Sequence, residues 1–180
     1  MRRLSFLTIA FVSSFIGYSQ TDSQKTTEGR NSFYAEAGGP SIMFSANFDR
    51  RFTPSNLGLG GRVGIGFVTA WEEEYDPVTG TYRGGRDRSV VTVPVQLNYI
   101  FGKTNSPHTF ETGVGVTYMG RKIGVLNFYD ETESQLFGTF TFMYRRQPRN
   151  GGFSWRAGFT PLVAKKFIQP MGGLSLGYNF

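Results

Sequence analysis

The feature that most constrains this chain is the alternation in its last eleven residues, Pro170-Met-Gly-Gly-Leu-Ser-Leu-Gly-Tyr-Asn-Phe180. Read back from the end, Phe180, Tyr178, Leu176 and Leu174 share one parity, and Asn179, Gly177, Ser175 and Gly173 share the other. Side chains point alternately to the two faces of a strand, so this segment has one greasy face and one small, polar face.

The same period of two recurs along the chain and predicts eight strands, at about 32–38, 41–50, 57–70, 90–101, 108–120, 134–146, 153–163 and 170–180. In the second, Ile42, Phe44, Ala46 and Phe48 oppose Met43, Ser45, Asn47 and Asp49. In the third, Leu59, Val63, Ile65 and Phe67 oppose Gly60, Arg62, Gly64 and Gly66. The sixth sets Phe140, Phe142 and Tyr144 against Thr139, Thr141 and Arg145. Most of these strands reach the ~9–11 residues that a tilted strand needs to cross a membrane. An even number of antiparallel strands closes with both termini on one side, and closure removes the sheet edges that hydrocarbon does not tolerate.

The composition agrees with alternation between lipid and a crowded interior. Mean hydropathy is only −0.26, yet the chain carries 24 Gly, 18 Phe and 9 Tyr. With no Cys there is neither a disulfide framework nor a thiolate metal site. No later segment has the ~18 consecutive apolar residues of a spanning helix. The formal charge of +6 falls to +4 when Arg2 and Arg3 are set aside, 17 basic against 13 acidic residues. That balance is too modest and too scattered for a nucleic-acid partner.

The N-terminus predicts export. Arg2-Arg3 precedes an apolar stretch, Leu4 to Ile16, and Gly17-Tyr18-Ser19 offers small residues for cleavage, which makes 1–19 a signal peptide. Residues 20–31 read as a polar, disordered lead-in and 32–180 as the barrel domain.

The terminal strand resembles the C-terminal signal strand of small bacterial outer-membrane β-barrels, which ends in Phe and carries aromatic or aliphatic residues at every second position. The resemblance implies an eight-stranded antiparallel up-and-down transmembrane barrel, all-β and monomeric. It also implies that Leu174, Leu176, Tyr178 and Phe180 form the signal read by the barrel-assembly machinery. Outer-membrane lipid and lipopolysaccharide are then its surroundings. Topology offers a separate check: with periplasmic termini, the two longest connections (71–89 and 121–133) fall outside, and 51–56, 102–107 and 147–152 are short and fall inside, the usual asymmetry of these barrels.

Candidate functional residues follow from the parity. The lumen of an eight-stranded barrel is only wide enough for side chains to fill. Its expected charged occupants are Glu36, Arg62, Glu111 and Arg156, either a salt-bridged plug or a gate that swaps partners, and the remaining inward positions read as Gly, Ser and Thr. The polar segment 71–89 is the distinctive surface feature, with Glu72, Glu74, Tyr75, Asp76 and Tyr82. Its Asp76-Pro-Val-Thr-Gly80 is turn chemistry, so it is read as a projecting hairpin whose edges could pair with an unknown surface partner. Glu72, Glu73, Glu74 and Asp76 lack the spacing of a calcium loop, so no metal is expected. Arg83, Arg86, Arg88, Arg121, Lys122, Lys165 and Lys166 are expected at the outer rim, able to meet lipopolysaccharide phosphates. Some small outer-membrane barrels modify lipids, but His108 is the only histidine, and there is no Gly-x-Ser-x-Gly or metal-ligand cluster. The reading is non-enzymatic, with no cofactor and an envelope or surface-interaction role. A narrow pore is the first alternative, and a soluble lipocalin-like binder is disfavoured because its inward face would be apolar.

Overall fold

The computed structural model of the chain describes residues 29–121, 135–164 and 167–180. The expected signal peptide, most of the lead-in, nearly all of the 121–133 connection and the Lys165-Lys166 pair lie outside them.

Ten strands follow one another among the described residues: β1 (Asn31–Gly38), β2 (Phe44–Arg51), β3 (Gly58–Tyr75), β4 (Tyr82–Gly102), β5 (His108–Met119), β6 (Leu136–Arg146), β7 (Gly152–Phe159), β8 (Leu162–Ala164), β9 (Phe167–Gln169) and β10 (Gly172–Asn179). Every pairing is antiparallel, β1 pairs with β10, and β5 pairs with both β4 and β6, so the sheet closes on itself. The barrel has eight staves, because β8 continues β7 and β9 leads into β10. Each of these two staves is interrupted beside a proline, Pro161 and Pro170, a residue that has no N–H to give a ladder. The sheet is carried across the breaks by Phe140 N–H donating to Pro161 O at 3.0 Å and Thr160 N–H donating to Met171 O at 2.6 Å.

The wall is apolar outside and polar inside. Phe33 is 55% exposed and its chain neighbours on the other parity, Ser32 and Tyr34, are buried. Phe48, Ile65, Leu97, Phe110, Phe142 and Leu176 repeat this around the circumference, all exposed. A surface of large apolar side chains around a charged interior suits hydrocarbon and not water. The inward glycines are set by register. Tyr34 faces Gly177, Asn47 faces Gly64, and Gln96 faces Gly115 across their strand pairs. A Cβ on Gly177 would lie 2.3 Å from Tyr34 Cβ, and one on Gly115 would lie 2.2 Å from Gln96 Cγ. The narrow lumen fits large polar side chains because small ones stand opposite them.

Two expectations are corrected. The second strand starts at Phe44, not at 41, and Ile42 is buried where a lipid-facing residue was expected. Gly38, Gly39 and Ile42 all have left-handed φ (73°, 68° and 76°), which a pleat cannot contain. The chain instead turns into the lumen as a 3-10 turn, Gly39–Ser41, held by Thr117 Oγ1 donating to Pro40 O at 2.9 Å. The second correction concerns the bounds of the third and fourth strands, expected at 57–70 and 90–101, because the projecting hairpin expected at 71–89 is continuous with them. Most of this segment is strand, since β3 and β4 stay paired from Gly58↔Ile100 out to Tyr75↔Tyr82. β2 leaves β3 at Phe67 and β5 leaves β4 at Thr92, so the hairpin runs on without them. Eight residues from Phe67 to Tyr75 carry it ~26 Å beyond the last residue paired to β2.

Candidate functional site

The lumen holds two layers. Toward the end where the termini lie, it is charged. Glu36, Arg62, Glu111 and Arg156, from β1, β3, β5 and β7, are all buried there. Arg156 Nη1 lies 3.2 and 3.0 Å from the two Glu111 oxygens, and its Nη2 donates to Ser175 Oγ at 3.2 Å and lies 3.5 Å from Glu36 Oε1. Ser175 Oγ in turn donates to Glu36 Oε1 at 3.0 Å. The Arg62 guanidinium donates to Tyr34 Oη at 2.9 Å and to Gln96, and sits 3.6 Å from Glu36. Arg156 also stacks over the Tyr34 ring, 3.6 Å from its centroid, a cation–π contact between two buried side chains.

Among the described residues three further charges join this layer, beyond the cluster expected from sequence. Asp49 pairs with Arg51 and, at 3.0 Å, with Arg145, which also reaches Glu111 at 3.2 Å and Ser32 at 2.9 Å. Asn98 ties them together by donating to Asp49 at 3.1 Å and Glu111 at 2.9 Å. Four guanidiniums therefore share three carboxylates and the neutral acceptors around them. The signal was present: Asp49 and Arg145 stand on the inward parity, and Arg51 shares that parity one residue past the expected end of its strand.

Toward the hairpin end an apolar cluster joins the buried hydroxyls of Ser41, Thr92 and Thr117, which corrects the expectation of Gly, Ser, Thr and charge throughout. Ile42, Val68, Val90, Met119, Phe137 and Leu162 pack into one buried cluster, with Met43, Ala70, Ala164 and Met171 against it. The inward-folded turn supplies Ile42. Between the layers Gln96 donates to Thr139 at 2.6 Å and accepts from Thr141 at 3.2 Å. The lumen is thus filled at two heights, once by paired charge and once by packed hydrocarbon.

The hairpin is the second candidate site. Tyr75 and Tyr82 face each other with centroids 5.7 Å apart, and Trp71 packs over Gly85, whose Cβ would meet the indole. Asp76 closes the turn. Its carboxylate accepts from the N–H groups of Val78 (2.8 Å) and Thr79 (3.0 Å) and pairs with Arg83. Those amide bonds, Thr79 first, hold the Asp76 carboxyl below its ordinary range, because they favour the charged form. Tyr75 Oη donates to Glu73 at 2.5 Å, and that bond raises the phenol. Glu72 pairs with Arg88, and Glu74 is exposed farther along the strand. These carboxylates are divided among separate partners, and no group of acids or His that could hold a metal ion forms among the described residues.

Of the expected rim bases, Arg83 and Arg88 are in ion pairs, Arg86 and Arg121 are exposed, and Lys122, Lys165 and Lys166 lie outside the described residues. Leu174, Leu176 and Tyr178 are exposed on the outward parity of β10, with Phe180 just after it.

No family model matches the chain, and no curated protein matches its sequence. Two solved structures resemble it. The Yersinia pestis outer membrane protein Ail, in a phospholipid bilayer nanodisc, matches at 14% identity and a TM-score of 0.49, over 85% of this chain and 100% of that one. The N-terminal β-barrel domain of Pseudomonas aeruginosa OprF matches at 13% identity and a TM-score of 0.53, over 83% of this chain and 95% of that one. At such identity the likeness to OprF is one of fold, and with the strand closure and the apolar wall it makes this chain an eight-stranded antiparallel transmembrane β-barrel.

Proposed function

We propose that the protein is a closed, non-enzymatic barrel of the bacterial outer membrane, and that its hairpin projects outside the cell and binds partner chains by strand addition. The observation that carries this is the free edge of β3. No strand pairs with it beyond Phe67 among the described residues. Thr69 N–H points away from β4, toward Met43 Sδ at 3.1 Å, so by alternation the N–H groups of Trp71 and Glu73 point the same way, to a side where no described strand pairs with them. Unpaired N–H and C=O groups in a row are a template for a further strand. The outer-membrane location rests on the apolar wall, the expected export signal and the terminal strand.

Two features favour this over a narrow pore: the ion-paired layer and the apolar cluster in series. The lipid-modifying alternative draws no support from His108, which is exposed beside Tyr144 on the parity opposite to buried Glu111. Bacteria displaying the chain would be tested for adhesion to surfaces coated with mixed extracellular proteins. Glu73→Pro removes an edge N–H and is expected to abolish adhesion, while Glu73→Ala keeps that N–H and adhesion with it. Equal adhesion by the proline variant would sink strand addition, and a steady conductance of the wild type in planar bilayers would favour the pore.

A further inference from the structure

The end of the barrel opposite the hairpin carries an uneven charge. Arg50, Lys103, Arg146 and Arg149 are exposed around it, and Arg30 is half-buried there. Every acidic residue among the described ones lies elsewhere: Glu36, Asp49 and Glu111 in the lumen, and Glu72, Glu73, Glu74, Asp76 and Asp87 on the hairpin.

One part of this rim is more than diffuse charge. In register, His108 on β5 stands opposite Arg146 on β6, and Arg146 stands opposite Trp155 on β7. Cross-strand partners on one face lie ~5 Å apart at Cβ, so the imidazole, guanidinium and indole form a row at the rim. The next row inward holds Phe110 and Tyr144. Aromatic rings join the rows: Tyr144 lies 5.2 Å from Trp155 and 5.8 Å from Phe110, and Phe110 lies 6.0 Å from Phe101. Tyr144 Oη is also hydrogen-bonded to His108 Nδ1. With the phenol donating, the proton sits on Nε2, which is left to donate outward. The Arg146 side chain has no hydrogen bond or ion pair among the described residues, whereas that of its chain neighbour Arg145 is paired in the lumen. Along the outer face of β6, Phe140, Phe142 and Tyr144 lead down to Arg146 over ~20 Å of wall.

We propose that Arg146, with His108 and Trp155, binds the phosphodiester headgroup of an anionic phospholipid, in the leaflet that meets this end of the barrel. A guanidinium fork matches two phosphate oxygens, and no Asp or Glu side chain among the described residues stands on this rim to compete for it. Trp and Tyr place their polar edges at the headgroup level and their rings against the chains. The phosphate chemistry alone would also admit free phosphate. The lipid is the occupant because the site continues into the apolar track of Phe142 and Phe140, both exposed, which an acyl chain can follow. The proposal rests on the membrane-barrel reading.

The test uses the full-length protein folded in detergent, with lipid retention followed by native mass spectrometry. Phosphatidylglycerol is expected to stay bound as a single discrete adduct, and a diacylglycerol with the same chains is not. Arg146→Ala should lower retention about tenfold, the value of a charge-assisted contact, and Arg146→Lys should lower it less. Arg50→Ala makes the same charge change on another part of the rim and should leave retention unchanged. Equal losses in the Arg50 and Arg146 variants would reduce the site to diffuse attraction, and retention of diacylglycerol would remove the phosphate from the account. Displacement by millimolar inorganic phosphate would assign the site to a free anion. Any of these outcomes overturns the proposal. A gel shift on boiling, run on the same samples, reports the barrel separately, so a lost adduct with an intact shift counts against the lipid site alone.

Discussion

The lumen and the hairpin are built from the same ion pairs, arginine with glutamate or aspartate, in two different solvents. In the lumen Arg156 is 2% exposed and its carboxylate partners, Glu111 and Glu36, are similarly buried. On the hairpin the Arg88 and Glu72 side chains are 28% and 48% exposed. Water around the second pair replaces whatever a mutation removes. The first is buried, so a missing partner leaves a charge with little solvent to replace it. The same chemistry is therefore structural in one place and nearly expendable in the other.

The largest expected effect is accordingly Arg156→Ala. It leaves Glu111 with Arg145 and Asn98 alone and strips Glu36 of a neighbour, at a cost of about 3–5 kcal/mol. The measurement is the urea midpoint of refolding in lipid vesicles, which falls with an unchanged slope if only stability is affected. Should this variant be no less stable than Arg88→Ala, water must reach the lumen and its filling at two heights is wrong.

Leu162→Ala carries the comparison into the apolar layer. Leu162 is 0% exposed within its cluster, and truncating such a residue costs about 2–5 kcal/mol through lost contacts and the cavity left behind. Because the charged layer is untouched, planar-bilayer recordings of this variant should still show no conductance. Gly177→Val probes the wall instead of the filling. Its Cβ would meet Tyr34 Cβ near the backbone, where no flexible end can swing away, and about 1–3 kcal/mol is expected on the same urea curves.

What could be read from sequence divides along these lines. The wall was legible, because lipid outside and a narrow lumen inside force a period of two that survives any detail of packing. The four charges read as lumen residues from sequence lie there because parity alone decides it. The apolar cluster was not legible. Val68 and Val90 are inward, yet beside Phe67 and Val91 they read as plain hydrophobic runs, and nothing local says that the barrel's filling changes character at that height. The inward turn at 39–41 was hidden for a different reason. Gly-Gly-Pro announces a bend, but whether the bend points out or in depends on Thr117, which lies on β5 and supplies the hydrogen bond that receives Pro40. Hairpin length was obscured by composition, since Glu-Glu-Glu reads as loop until its cross-strand partners, Gly84 and Gly85 among them, are known.

At the small end of the comparison, Arg88→Ala should change the urea midpoint little, by about 0–1 kcal/mol. The hairpin still has one titration worth following, at Asp76. Its folded carboxyl is held below the ordinary value, so the stability it gives the turn is fully present above the unfolded pKa, near 3.8, and is lost as pH falls through the lower folded value. The amides of Val78 and Thr79 should therefore stay hydrogen-bonded at a pH where a free aspartate has already begun to protonate, and then loosen together. Amide hydrogen exchange of those two residues against pH reads this directly. Asp76→Ala should abolish their protection at every pH and leave the lumen's amides unaltered, since β3 and β4 are paired well below the turn. If protection in the lumen fell as well, the hairpin and the barrel would be one cooperative unit, and the contrast between a solvated and a buried set of ion pairs would no longer separate two regions of independent stability.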